Sequence, residues 1–575
     1  MRSKHKKGVK LKPKKIACSL IVSGFLLSGC GDSDGAKTSL EEVNTSAKHF
    51  IHVKVLGGDT TDVEFTSSTH AFSQPAANLK GELFDLHMEG DTNFETSFYG
   101  PNDGSDYLAG LGPVQNHVNC DACHQKDGRA NLPVLEHMPH LNSHLFQDEN
   151  GYYKLGNAGV FLRISIENSA INSAKKSESN CWGSPVPVPN FSDQLFHRGS
   201  IGVRVDEDNN TISQGTGQAD VWMKYEYKTV TYPDGTTVEL SKPLFFVDNP
   251  YDAPDDPNVY NPITVEENAT SRLFKPDVKF GPRIGMPMIG LGLLAAIDER
   301  DILALADEND TDGDGISGKP NWVCDKEKLD KCKAENNCEQ NRPISLGRFG
   351  WKANTPTVAH QGLGALRGDM GVTNPLFKME SIAKTDLMKE YKARNPNFKT
   401  YCDTNKTDTD LEFSKAVIFY AETLSVPPRR NIDDPDVKQG GMIFEQIGCA
   451  KCHHPSFTTG TKYVSFSRDG KRIKELENQK IYPFTDMLLH DMGPDLADGR
   501  RDFDASGSEW KTRPLWGIGA TQIVNPGAGF LHDGRARTLE EAILWHGGEA
   551  EAIKNSFMNL NKTKRNQLIK FLESL

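Results

Sequence analysis

Two stretches place a pair of thiols and an imidazole where they could hold an iron-bearing ring. Cys120-Asp-Ala-Cys123-His124 and Cys449-Ala-Lys-Cys452-His453 both read C-x-x-C-H. Thiols three positions apart can add across the two vinyl groups of one haem, and the His that follows is placed to take the iron. A zinc site would need further paired Cys or His nearby, and a thioredoxin-like pair has no use for the trailing His. The sequence therefore predicts two covalently bound haem c groups with His124 and His453 as iron ligands. His137, His140 and His144 lie within a few turns of the first motif and could close its other iron face.

A second chemistry is written in Asp310-Thr-Asp312-Gly-Asp314-Gly315. It has the 1, 3, 5 oxygen spacing and position-6 Gly of a calcium loop, with Ile316 offering a carbonyl. Asn321 stands where the twelfth-position Glu is expected, so a site on Asp310, Asp312 and Asp314 would be weaker or differently completed, and a solvated acidic turn is the competing reading.

The N-terminus gives an address. Eight Lys and Arg residues precede a short apolar stretch, Ile16 to Leu27, too short to span a bilayer and shaped like the core of a signal peptide. Leu27-Ser-Gly-Cys30 resembles a bacterial lipobox, with Cys30 as the lipidated residue and Gly31 implying outer-membrane rather than inner-membrane retention. Loss of residues 1–29 takes the formal charge from −12 to −20. An acidic chain with no basic stripe is a poor nucleic-acid binder, although it could attract a basic electron donor. Of eleven cysteines, Cys181, Cys324, Cys332, Cys338 and Cys402 remain for up to two disulfides with one thiol spare, in pairs the spacing does not identify.

The elements that must hold these groups alternate in texture. Gly159–Ile166 is strand-like; Val221–Tyr232, Pro233-Asp-Gly235 and Thr237–Leu240 read as a hairpin, and 245–263 as loop. Helical patterning returns near Leu291 and over 410–425, and Pro427-Pro428 breaks it. In the last segment Gly440-x-x-x-Phe444 would permit a close helix crossing, and Leu568, Ile569, Leu572 and Leu575 make an apolar helical face. The expected fold is mainly α: two cytochrome c-like haem domains, the first (81–144 and 297–427) split by a β-rich insertion (145–296), the second at 431–575, after a signal (1–29) and a tether (30–80).

Several longer stretches resemble the dihaem oxidoreductase (putative peroxidase) family, which is related to bacterial dihaem cytochrome c peroxidases and to the dihaem enzyme of methylamine dehydrogenase maturation. They are Pro287-Met-Ile-Gly-Leu-Gly-Leu-Leu, Asp312-Gly-Asp-Gly-Ile-Ser-Gly, Gly347-Arg-Phe-Gly-Trp-Lys-Ala, Asp486-Met-Leu-Leu-His-Asp-Met-Gly and Leu531-His-Asp-Gly-Arg-Ala-Arg-Thr-Leu-Glu-Glu-Ala-Ile-Leu-Trp-His. The resemblance implies a Trp, Gln and acidic residue serving the first haem, here Trp351, Gln361 and Asp369. Asp replaces the usual Glu, and Trp351 follows His124 by 227 positions. By the same resemblance Asp369 would assist O–O cleavage, Gln361 would hold oxygen or water, and Trp351 would carry an oxidising equivalent between haems. A helix opened by a Thr538–Glu541 capping box would end at His546, the sixth ligand of the second haem, with Met492 as the next candidate.

The implied activity is peroxide reduction with electrons from a small cytochrome or cupredoxin, in a lipid-anchored protein facing the periplasm. Two other readings stay open. One is oxidation or oxygenation of an organic or protein substrate through a high-valent dihaem state; the other is electron transfer alone.

Overall fold

The computed structural model describes residues 49–64, 67–100, 110–132, 146–155, 159–167, 181, 183–199, 204–205, 211–213, 217–253 and 269–575. Cys30, His137, His140 and His144 lie outside them. Two helix pairs of the same design flank the two C-x-x-C-H motifs. In the first, α1 (Glu82–Glu95) crosses α3 (Leu411–Thr423); in the second, α4 (Pro435–Gln446) crosses α6 (Lys562–Ser574). Both crossings are made by a glycine. A Cβ on Gly90 would sit 2.2 Å from the Ala416 carbonyl, and one on Gly440 would sit 1.9 Å from that of Gln567. Four residues on, a Phe meets the motif's imidazole: Phe94 and His124 at 6.3 Å between centroids, Phe444 and His453 at 6.4 Å. Side-chain caps fix the starts, with Asp410 accepting from Phe413 N–H and Asn561 from Lys564 N–H.

Between the halves of the first helix pair comes β structure. β2 (Val160–Ile166) lies between β7 (Val278–Ile284) and β3 (Gln194–Leu195) in one antiparallel sheet. β5 (Asp220–Thr231) and β6 (Thr237–Asp248) form a hairpin paired from Asp220–Asp248 to Thr231–Thr237, turning at Gly235 with φ +83°. The second strand is longer than its sequence suggests, since Phe245–Asp248, expected as loop, completes it. The hairpin reaches the second helix pair: Arg565 donates to Asp234 (2.8 Å), and Tyr232 donates to Glu540 (2.7 Å) on α5 (Leu539–Leu544). A short ladder also ties β1 (Val114–Gln115), just before the first motif, to β4 (Arg198–Gly199).

The expectation of a mainly α protein is overturned. The fold is mixed α and β, with 31% helix and 18% strand across 13 helices and several sheets among the described residues. Its 51 Gly and 31 Pro residues keep helices short and leave much of the framework to extended segments and turns. Disulfides join Cys181 to Cys324 and Cys332 to Cys338, leaving Cys402 as an exposed thiol. Among the described residues no helix is long and apolar enough to cross a membrane.

Candidate dihaem site

Each C-x-x-C-H motif is wound into a single turn. His124 N–H donates to the Cys120 carbonyl (3.0 Å), and His453 N–H to that of Cys449 (3.0 Å). Neither pair forms a disulfide, and burial pushes the thiols of Cys120 and Cys449 up to about 12. Each imidazole uses Nδ1 on a backbone carbonyl: His124 on Met286 at 2.6 Å, His453 on Phe484 at 3.1 Å. A carbonyl only accepts, so Nδ1 carries the proton and Nε2 keeps its lone pair, the arrangement that orients a metal-binding imidazole. Burial holds both rings below the usual histidine range, His453 at about 4, hence neutral and able to ligate.

Each motif opens on its own cavity, lined mainly by apolar side chains. Arg129, Lys511 and Arg513 line both cavities. Burial holds all three cations below their usual ranges, Arg129 at about 9, Arg513 at about 10 and Lys511 well down. Lys511 donates to the Arg348 carbonyl (2.6 Å), Arg129 to the Leu531 carbonyl, and Arg129 Nε has no partner. Among the described residues none of the three has a salt-bridge carboxylate, and buried cations so placed call for anions from outside the chain. Two mainly apolar cavities, each with two thiols and a neutral imidazole, fit two haems, and the shared Arg129, Lys511 and Arg513 would hold their carboxylates.

The second cavity holds another imidazole. His546 follows α5, which Thr538 caps by accepting from Glu541 N–H (3.1 Å); the Glu541 carboxylate turns to Arg537 rather than completing the expected box. His546 Nδ1 binds the Ala542 carbonyl at 2.7 Å, and the ring faces the same cavity as His453. Met492 lines that cavity too. The first cavity receives Gln361 and Asp369 from one stripe of α2 (Val358–Met370), with Gly362, Ala365 and Leu366 between them. Asp369 lines the first cavity and is partly exposed. Elsewhere it is enclosed, and that withdrawal from water raises its pKa above the usual carboxylate range against the pull of Arg163 and a 2.7 Å hydrogen bond from Gln194 Nε2. Gln361 Oε1 accepts from Thr355 (2.8 Å). Trp351 lines the second cavity, with the Arg129 and Arg513 guanidinium groups 5.3 and 5.1 Å from its ring centre.

A family model described as "Di-haem oxidoreductase, putative peroxidase" matches residues 50–575. The chain belongs to this family. No curated protein and no solved structure gives a significant match.

In this di-haem oxidoreductase the predicted residues fall into two groups. His124, Gln361 and Asp369 share the first cavity; His453, His546, Met492 and Trp351 share the second. The acidic loop brings Asp310 and Asp312 together with Asp307, their ligand oxygens within 4.8 Å of one another. Asp314 turns away to pair with Lys451 at 2.9 Å, and Asn321 is buried in hydrogen bonds to the Lys352 and Asp502 carbonyls. Sequence reasoning missed the shared cations, although Lys511 and Arg513, two apart on an extended segment, carry the spacing of one face. It also missed His117 in the first cavity, and His490, which is held between Asp486 and Glu549 at 2.8 Å each and lies 3.7 Å from Cys452 Sγ.

Proposed function

We propose that this oxidoreductase is a c-type dihaem peroxidase, with thioethers at Cys120, Cys123, Cys449 and Cys452. Bound there, the haems supply the redox-active irons for the two-electron, two-proton conversion of hydrogen peroxide to two waters. The observation that carries the reading is the asymmetry of the cavities. Among the described residues that line them, the first cavity alone has a carboxylate, Asp369, whose raised pKa suits proton transfer, while the second sets His546, fixed through Nδ1, beside His453. Asp369 moves the peroxide proton, Gln361 holds the oxygen beside it, and the indole of Trp351, next to the cations that line both cavities, lies on the electron route. Arg129, Lys511 and Arg513 receive the propionates.

Electrons come from a small cytochrome or cupredoxin, and a lipid on Cys30 holds the protein at the outer membrane facing the periplasm. The loop of Asp307, Asp310 and Asp312 takes a calcium ion in this reading, and a chelator should lower the melting temperature. The deciding experiment is a reduced-minus-oxidised spectrum with cyanide and peroxide titration. One haem should bind cyanide and the other should not; if neither binds it in any redox state, the protein only transfers electrons.

A further inference from the structure

The junction between the β-rich insertion and the first cavity is short of hydrogen-bond partners. Gln115 Oε1, Asn116 Nδ2 and Oδ1, His117 Nε2 and Gln194 Oε1 are all buried with no hydrogen-bond partner among the described residues. These residues surround Asp369. Its carbonyl accepts from Asn116 N–H (2.7 Å) and His117 N–H (3.4 Å), and its carboxylate accepts from Gln194, which also donates to the Gly368 carbonyl (3.1 Å). The junction is closed by the β1–β4 ladder, which sets Gln115 opposite Arg198. A buried polar atom left unpaired is costly, because it has given up its hydrogen bonds to water without replacement. Five such atoms on four neighbouring residues are what a folded chain tolerates when ordered water completes them. His117, only 7% exposed, is the member of this set that lines the first cavity.

We propose that Gln115, Asn116, His117 and Gln194 enclose ordered water that carries protons between the insertion junction and Asp369 in the first cavity. The proposal rests on the proton-handling role given to Asp369 above. His117 is the relay and Gln194 a positioning residue. Arg198 and His197 from the insertion bear on the ring of His117, which burial first, and then these two groups, hold down at about 4. It is therefore neutral at working pH and passes a proton from one ring nitrogen to the other rather than storing it. Arg163, Asp193 and His124 bear on Asp369. For hydrogen cyanide as probe, the H–C bond breaks and the proton goes to the Asp369 carboxylate while the anion stays in the cavity. Asp369 then returns that proton through the water to His117 and out to solvent, and no electron moves.

The test uses the full-length protein with both haems. Cyanide association is followed by stopped flow across pH, in light and heavy water, for wild type, His117→Leu, His117→Gln and Asp369→Asn. Loss of a proton relay should slow association in His117→Leu by roughly tenfold or more, within the usual span of acid–base contributions. The solvent isotope effect should change as well, and His117→Gln, which keeps a hydrogen-bonding head, should recover part of the rate. Wild-type rates and isotope effect in a His117→Leu protein that keeps two haems overturn the proposal. Slow association in His117→Leu with normal association in Asp369→Asn keeps the relay and overturns the role of Asp369. If His117→Leu fails to fold, a high-resolution crystal structure of the wild type decides. Ordered water within about 3 Å of His117 Nε2 supports the relay, and a dry junction refutes it.

Discussion

Lys511→Met is the most informative perturbation of the shared wall, because one charge should act on two haems at once. Lys511 is 3% exposed, lines both cavities and has no salt-bridge carboxylate. At an effective dielectric of about 20, one unit charge about 10 Å from a redox centre contributes about 1.7 kcal/mol. For a one-electron couple this is about 70 mV, in the direction that favours the reduced state. Removing it should lower both midpoint potentials by tens of millivolts, less whatever the neighbouring Arg129, Arg513 and propionates screen. Met keeps most of the volume, so packing should hold. The assay is a spectroelectrochemical titration resolving the two haems, with the exposed Lys474→Met as control, where solvent screening should leave both potentials nearly unmoved. A shift at one haem only would mean that the wall is not shared. No shift at either would mean that Lys511 stays uncharged in the loaded protein, and the account of the propionate site would fall.

His546→Ala should turn the second haem from low to high spin while mass spectrometry still finds two haems per chain; an unchanged spectrum would assign the iron to Met492. Asp369→Asn should slow peroxide turnover by about 10²–10⁴-fold while leaving the second haem's spectrum intact. The same change should not lower the melting temperature at neutral pH. A carboxyl with a raised folded-state pKa favours folding only while protonated, so its contribution is lost as pH rises through that value, and Asn has nothing to lose. In the wild type, the rate of the peroxide step should fall as pH drops through a value above the ordinary Asp range; a fall only at or below that range would remove Asp369 as the base. Cys449→Ser with Cys452→Ser should cut covalent haem to one per chain, and retention of two would relocate the second attachment.

What could be read in advance was local. The two motifs, the Pro233-Asp-Gly235 turn between alternating strands, and the 410–425 helix each declare themselves within a dozen residues, because turn chemistry and periodicity act at that range. Gly90-x-x-x-Phe94 repeats the pattern of Gly440-x-x-x-Phe444 and was equally visible, yet it stands 30 rather than 9 positions before its Cys. The overall balance of helix and strand was misjudged because a haem motif says nothing about how much extended chain surrounds it. Partners set by tertiary proximity were out of reach. Gln194 meets Asp369 across 175 positions, Cys181 finds Cys324 across 143, and Asp314 leaves its loop for Lys451, a choice no loop pattern encodes.

The wall of the first cavity is drawn from residues near 94–129, 286–294, 349–370, 417–421 and 511–521. Its contacts are therefore of very long sequence separation, and such contacts form late, after the entropy of closing large loops has been overcome. During synthesis or translocation the segment bearing Cys120 and Cys123 emerges some 400 residues before Lys511 and Arg513 exist. In the c-type reading proposed above, capture of haem by those thiols at that stage would need no opening of a finished cavity, and the C-terminal stretch would then complete the wall around a group already in place.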